Sequence, residues 1–235
     1  MANSVFSIFR ELMTKNQPIH LVNNFSGVSI SNPSMVLGFD NASVKLSINK
    51  YQGVILQQEN QTLMVTDIFP EAILAKVDSV NLSAREAYFA DFRLIEKLSN
   101  NRGQVRICPR HEIIVSFPEH PDVQGSIHDI SFDGLGFYIP REDTNYAKFA
   151  KGEQVMLKMN LPLNGVEKAV QVPCEIKKVF LEGEELRLRI GARIQPDAEN
   201  KKIISSYITQ NMVQICIELD NLYHEQVQEP VIVKK

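Results

Sequence analysis

The sequence predicts a mainly β protein built from two small antiparallel β-barrel domains, with a short helix in front and a long helix behind. Three observations predict it. Short alternating or β-rich segments fill most of the chain, a polar stretch free of periodicity interrupts them near residue 99, and helical spacing of apolar residues is confined to the two ends.

The opening helix follows from Val5, Ile8, Phe9 and Leu12, which recur at three- and four-residue intervals and stop before Asn16-Gln17-Pro18. From Pro18 to about Ala87 the pattern becomes short strands such as Ile19–Val22, Val44–Ile48 and Ala72–Val77, separated by Asn, Gly, Ser and Asp; this reads as a small antiparallel sheet or barrel. Ser99-Asn100-Asn101-Arg102-Gly103-Gln104 marks a boundary. Beyond it, 113–117, 124–130, 135–139, 154–161, 169–180 and 186–194 read as strands of a second barrel, with turns at Pro118-Glu119-His120-Pro121 and Leu163-Asn164-Gly165. Asp197 is a good N-cap for the last helix, whose Ile204, Ile208, Met212, Ile215, Leu219 and Leu222 form an apolar stripe expected to pack on the barrel. Partner docking or dimerisation is the other use of such a stripe. The expected division is thus 1–98, a linker at 99–106, a second domain at 107–225 and a tail at 226–235.

Composition narrows the function classes. A length of 235 residues suits two small domains, and 44% hydrophobic with 23% charged residues is ordinary for a soluble chain. No apolar run approaches the length of a membrane span, and the first ten residues lack the pattern of a secretory signal, so a cytoplasmic location without membrane insertion is expected. The formal net charge of −3 argues against general DNA or RNA binding, which needs an excess of cations. Cys108, Cys174 and Cys216 are far apart, odd in number and without CxxC spacing, which suggests reduced, mostly packed thiols rather than disulfides or a zinc site.

Two segments carry chemistry. Arg102, Arg106 and Arg110 recur every fourth residue, a pattern that alone is as consistent with a solvated charged turn. Downstream, Asp129-Ile130-Ser131-Phe132-Asp133-Gly134-Leu135-Gly136 sets Asp129 and Ser131 on alternate positions at a strand end before a glycine turn; alone, this is equally a turn in which Asp and Ser bond their own backbone.

Together, an RxxxR at the start of a domain and a DxSxxG at a strand end of the same β domain resemble the PilZ family, whose barrels bind the bacterial second messenger cyclic di-GMP. The resemblance covers about residues 100 to 225 and extends to Gly191-Ala192-Arg193-Ile194 and the helix after it. It implies that Arg102 and Arg106 are the motif arginines, with Ile107 at the apolar position that follows the second. The alternative register, Arg106 and Arg110, is interrupted by Cys108-Pro109, and Val105 stands where the family usually has an aromatic residue. Asp129, Ser131 and Gly134 would complete the cyclic di-GMP site, with Asn101, Arg110, Gly136 and Arg193 as secondary candidates.

The residue types suit that ligand. A guanidinium can donate two parallel bonds to guanine O6 and N7 and stack on a base, a contact worth ~1–3 kcal/mol of discrimination. A carboxylate such as Asp129 can accept from guanine N1–H and the exocyclic amine, Ser131 can bond a base edge or a phosphate, and Gly134 permits close backbone approach. None of these needs to act as nucleophile or base, so no catalytic residue is assigned.

The enzyme readings have less to stand on. His20, His111, His120, His128 and His224 form no HxxxH or HxE pattern, Ser131 lacks a GxSxG elbow, and no phosphate-binding glycine loop is present; no enzyme activity, metal or cofactor beyond the ligand is expected.

The first hundred residues resemble, in arrangement and length, the N-terminal domain of two-domain flagellar-brake PilZ proteins. That likeness implies a receptor in which residues 99–106 act as a hinge, ligand binding changes the orientation of the domains, and the output reaches motility, biofilm or a related surface behaviour through the flagellar motor, at the basal body, or through another protein target. The alternative is a PilZ-like adaptor that binds partners and no nucleotide. Homodimerisation stays open.

Overall fold

The computed structural model describes residues 2–40, 42–96, 105–140, 148–182 and 187–228. Among the described residues it is mainly β, with three helices and a closed six-stranded barrel. The chain divides into two compact units, one of residues 1–25, 29–102 and 216–235, the other of residues 26–28 and 103–215. Asn101, Arg102 and most of the 99–106 linker lie outside the described residues.

The first unit begins with helix α1 (Ala2–Lys15), whose Val5, Ile8, Phe9 and Leu12 are buried as the spacing requires. Asn16 ends it in a left-handed conformation at φ 51°, and Gln17 N–H donates back to the Leu12 carbonyl at 2.9 Å, a Schellman-type stop before Pro18. Strands β1 (Ile19–Phe25), β2 (Val28–Ser34), β3 (Val36–Phe39), β4 (Val44–Ser47), β5 (Gln61–Val65), β6 (Ala72–Asn81) and β7 (Glu86–Ile95) form one sheet in the order β2-β1-β5-β6-β7-β4-β3. It is an open half-barrel. Its core joins α1 to Leu21, Leu46, Met64, Ile73 and Phe89, and Phe6, Phe9 and Phe92 meet edge-on with ring centroids 5.2–6.2 Å apart.

One element of this unit was not expected from the sequence. Lys50–Gln58 forms a second helix, α2, within the stretch from Pro18 to Ala87 expected to hold only short strands. Asn49 caps it by accepting from Gln52 N–H at 2.7 Å, and burial of Gln52 through Leu56 holds the helix despite its modest propensity.

In the second unit, β8 (Ile114–Phe117), β9 (His120–Ile130), β10 (Gly134–Pro140), β11 (Gln154–Leu163), β12 (Val166–Glu182) and β13 (Arg187–Ile194) close into a barrel in the order β10-β13-β12-β11-β8-β9. Inward residues alternate along each strand: Leu135, Phe137 and Ile139 on β10, and Leu188, Ile190, Ala192 and Ile194 on β13, are all buried. The β11–β12 hairpin turns on Asn164 (φ 50°) and Gly165 (φ 80°), the two left-handed residues that a tight hairpin matching strand twist demands.

Helix α3 (Ala198–Gln228) starts at Asp197, whose Oδ1 accepts from Asn200 N–H at 2.8 Å. It stays helical past residue 225, where the sequence suggests fraying. Its residues up to Ile215 belong with the barrel, as expected, and Asn200 Nδ2 donates to the Gln171 carbonyl of β12, whereas those from Cys216 group with the first unit. Ile204, Ile208, Ile215 and Leu219 are buried, but Met212 of the predicted stripe is exposed. Cys216 is exposed as well, while Cys174 is buried and Cys108 half-buried, so the thiols are less uniformly packed than expected; all three are free. Among the described residues, no helix is long and apolar enough to cross a membrane.

Candidate ligand site on the barrel

The site is built around one carboxylate. Along β9 the buried positions alternate through Val123, Gly125 and Ile127, and then the register against β10 shifts, so that Gly136 faces Asp129 while Phe137 faces Ile127. This bulge changes the phase of the strand. Ile130 becomes a core residue, and Asp129 comes to lie against Gly136 on the side of β10 that carries Tyr138. A Cβ at Gly136 would stand 2.7 Å from Asp129 Oδ2, so only glycine leaves room for the carboxylate there.

Arg106 reaches Asp129 because of its neighbour. Ile107 is buried and exchanges two backbone hydrogen bonds of 2.9 Å with Ile130, an isolated bridge that pins this segment to the end of β9. The adjacent Arg106 Nη1 then donates to Asp129 Oδ1 at 2.7 Å. On the other side, Arg189 Nη2 of β13 donates to Asp129 Oδ2 at 3.2 Å, and the Arg189 guanidinium lies 5.5 Å from the centroid of the Phe180 ring. His128 Nε2 is 3.9 Å from Asp129 Oδ2, and its ring meets Tyr138 edge-on. The Asp129 side chain is only 6% exposed, whereas Arg106 is 35% and Arg189 24% exposed. A buried anion thus orients two partly exposed cations.

The turn after β9 positions the rest. Ser131 N–H and Oγ both donate to the Gly134 carbonyl, at 2.8 and 3.1 Å, closing residues 131–134 into a loop, and Asp133 O accepts from Ile194 N–H at 2.9 Å. A Cβ at Gly134 would meet Ser131 Oγ at 3.1 Å and lie 3.9 Å from Arg106 Nη2. Arg193 is exposed and pairs in register with Gly134. Arg110 is exposed. The Cys108 thiol is pushed above its usual pKa by burial and by the Asp129 charge, with Arg189 opposing, so it stays protonated at neutral pH.

The structure therefore brings together Arg106, Asp129, Ser131, Gly134 and Gly136. Arg102 and Asn101 lie outside the described residues. Gly136, a secondary candidate in the sequence, sits closer to Asp129 than Gly134 does. Sequence reading missed Arg189 and Phe180. The available signal was Arg187, Arg189 and Arg193 on alternate positions of one strand, which places them on one face. Among the described residues, no group of three His, Cys, Asp or Glu side chains is gathered to hold a metal ion.

Residues 100–210 match the family model of the PilZ domain. No curated protein matches the chain. Among solved structures, the chain is similar to the inhibitor of motility MotI/DgrA of Bacillus subtilis, with 11% identity and a TM-score of 0.42, over 84% of this chain and 96% of that one. It is also similar to MrkH of K. pneumonia in complex with c-di-GMP, with 12% identity and a TM-score of 0.45, over 93% and 97% of the two chains. For YcgR of Escherichia coli in complex with c-di-GMP the values are 11%, 0.42, 94% and 95%.

Proposed function

Because residues 100–210 match the family model of the PilZ domain, we propose that the protein is a cyclic di-GMP receptor that works by binding and does not turn its ligand over. The observation that carries the reading is the Arg106–Asp129 pair, held at 2.7 Å by the Ile107–Ile130 bridge at the edge of the Ser131–Gly134 loop. Motif residues 23 positions apart in sequence are thereby gathered on one rim of the barrel. Arg106 offers a planar fork of donors for guanine or phosphate, and Asp129 keeps lone pairs for guanine N1–H and its amine. Arg102, four residues before Arg106, would add a second fork from the linker.

Ligand capture by the linker would change the orientation of the two units and so inform a protein target, with motility or a related surface behaviour as the output. The support is the order of parts, a helix and β sheet ahead of the PilZ domain, which resembles the flagellar-brake arrangement. Turning a mostly open population into a mostly closed one takes ~5 kcal/mol of differential affinity, within reach of a few guanidinium contacts.

Titration calorimetry with cyclic di-GMP on the full chain and on Arg106→Ala tests the reading. Binding by the wild type and its loss in the variant are expected. Equal affinity of the two would remove Arg106 from the site, and no binding by a folded wild type at micromolar ligand would leave the adaptor reading in its place. Distance measurements between labels on the two units, with and without ligand, test the change in orientation.

A further inference from the structure

Two register shifts flank one pair of glycines on the outer face of the barrel. Gly136 of β10 and Gly191 of β13 are partners in register. β9 shifts against β10 at Gly136, and β12 shifts against β13 between Ile176 and Lys178. The first shift brings Asp129 over Gly136. The second re-aims a side chain from the opposite side. Ile176 pairs with buried Ala192, Lys177 is the extra residue, and Lys178 becomes the partner of Gly191. Asp129, Gly136, Gly191 and Lys178 thus follow one another across adjacent strands, with about 10 Å between the strands of Gly136 and Lys178.

Gly191 is a glycine that the chain itself does not require. Its φ is not left-handed, and a Cβ there would meet Lys178 Cβ at 3.8 Å, an ordinary contact, and nothing else among the described residues within 4 Å. A glycine inside a strand weakens pairing and leaves nothing to pack, so one without an internal cause marks close approach from outside. Lys178 is exposed, and among the described residues it makes no hydrogen bond or ion pair, whereas the neighbouring Lys177 Nζ donates to Glu175.

We infer that the cyclic di-GMP site extends from Asp129 across the Gly136–Gly191 pair to β12, where Lys178 meets a phosphodiester of the ligand. The inference rests on the receptor reading above and supplies the residue at the far end of that site. A guanine base or the ribose–phosphate ring can lie close on two glycines, where a side chain would hold it off the sheet. An ammonium on a flexible stem suits a phosphate oxygen, which asks for a charge within reach rather than for a planar fork.

The test is calorimetry with cyclic di-GMP at low and high salt on the full chain, comparing wild type with Lys178→Met, Lys178→Arg and Gly191→Val, with stability read by urea unfolding. Lys178→Met should weaken binding about 3- to 10-fold at low salt and less at high salt, as the loss of one exposed charge contact does. Lys178→Arg should bind within about twofold of wild type, since it keeps the charge. Gly191→Val should weaken binding about tenfold while the urea midpoint stays or rises, because a β-branched residue suits a strand better than glycine. A glycine kept only for the fold would give the opposite pair of results.

If Lys178→Met binds as wild type does at low salt, Lys178 is only a solvated surface lysine and the inference fails while the receptor reading stands. Wild-type affinity in Gly191→Val also overturns it, because the ligand then does not cross the glycine pair. Should Gly191→Val not fold, the two Lys178 variants decide: a loss in Met that Arg does not share supports the inference, and equal affinities overturn it. A wild type that binds no cyclic di-GMP defeats the receptor reading and the inference with it, a result distinct from either.

Discussion

Each unit buries a polar side chain at the heart of a hydrogen-bond cluster, and the two clusters are completed differently. In the first unit Asn23 Oδ1 accepts from Gln52 Nε2 at 2.8 Å and Thr62 Oγ1 at 2.6 Å, Asn23 Nδ2 donates to Gln61 O, and Gln52 Oε1 accepts from Asn32 Nδ2. Every group is neutral, and Gln52 and Thr62 are fully buried. In the second unit the buried group is the Asp129 carboxylate, and its partners are the partly exposed guanidiniums of Arg106 and Arg189. A closed neutral network joins α2 to β1 and β5, whereas the buried Asp129 holds the partly exposed Arg106 guanidinium, whose other donors can reach something outside the chain.

The contrast makes graded predictions. Asp129→Ala should have the largest effect on the ligand, weakening cyclic di-GMP binding by about 2–5 kcal/mol in calorimetry, because it releases both guanidiniums from their fixed orientation. Its effect on stability should be small, since the freed arginines can hydrate. Gln52→Leu should do the reverse: it leaves Asn32 and Asn23 short of a partner and should lower stability to urea by about 1–3 kcal/mol, while ligand affinity of the folded protein stays within a few-fold. A loss of affinity as large as that of Asp129→Ala would mean the two clusters are not separate in role.

Gly136→Ala should displace the Asp129 carboxylate, which a new Cβ would meet at 2.7 Å, and weaken binding about tenfold with little change in fold. Gly134→Ala should cost less, because its Cβ first meets Ser131 Oγ at 3.1 Å. The reverse ranking, read by calorimetry, would show that Gly134 governs ligand approach more than Gly136 governs the carboxylate. The smallest effect concerns the thiols. Burial pushes Cys174 up to about 12, and its thiol donates to the Val155 carbonyl, so it should escape alkylation at neutral pH until the protein unfolds, whereas exposed Cys216 should react in the native state.

Much of the barrel was legible because its strands alternate and its turns carry Asn-Gly or Pro. Helix α2 was not, since β-branched Val54 and Ile55 and helix-weakening Gly53 give it little helical signal, and the tertiary burial that holds it is invisible locally. The capping Asn49 was the readable clue. At the site, the motif residues Arg106 and Asp129 were legible by type and spacing, and the bridge that joins them depends on Ile107 finding Ile130 across the fold. Arg189 was missed for a related reason: its contact with Asp129 passes over β10 and depends on the bulge near His128, and neither the pairing order nor the bulge has a local sequence signal. Met212 fell on the predicted apolar stripe, but a stripe drawn at constant spacing assumes one continuous packing surface, and α3 is shared between two units.

The central claim is that the Arg106 guanidinium, set by Asp129, meets the ligand. Nitrogen-15 NMR of the arginine side chains during a titration with cyclic di-GMP tests it most directly. The Nε–H signal of Arg106, assigned by Arg106→Lys, should shift along the binding curve. Saturable binding that moves other arginine signals and leaves this one in place would contradict it.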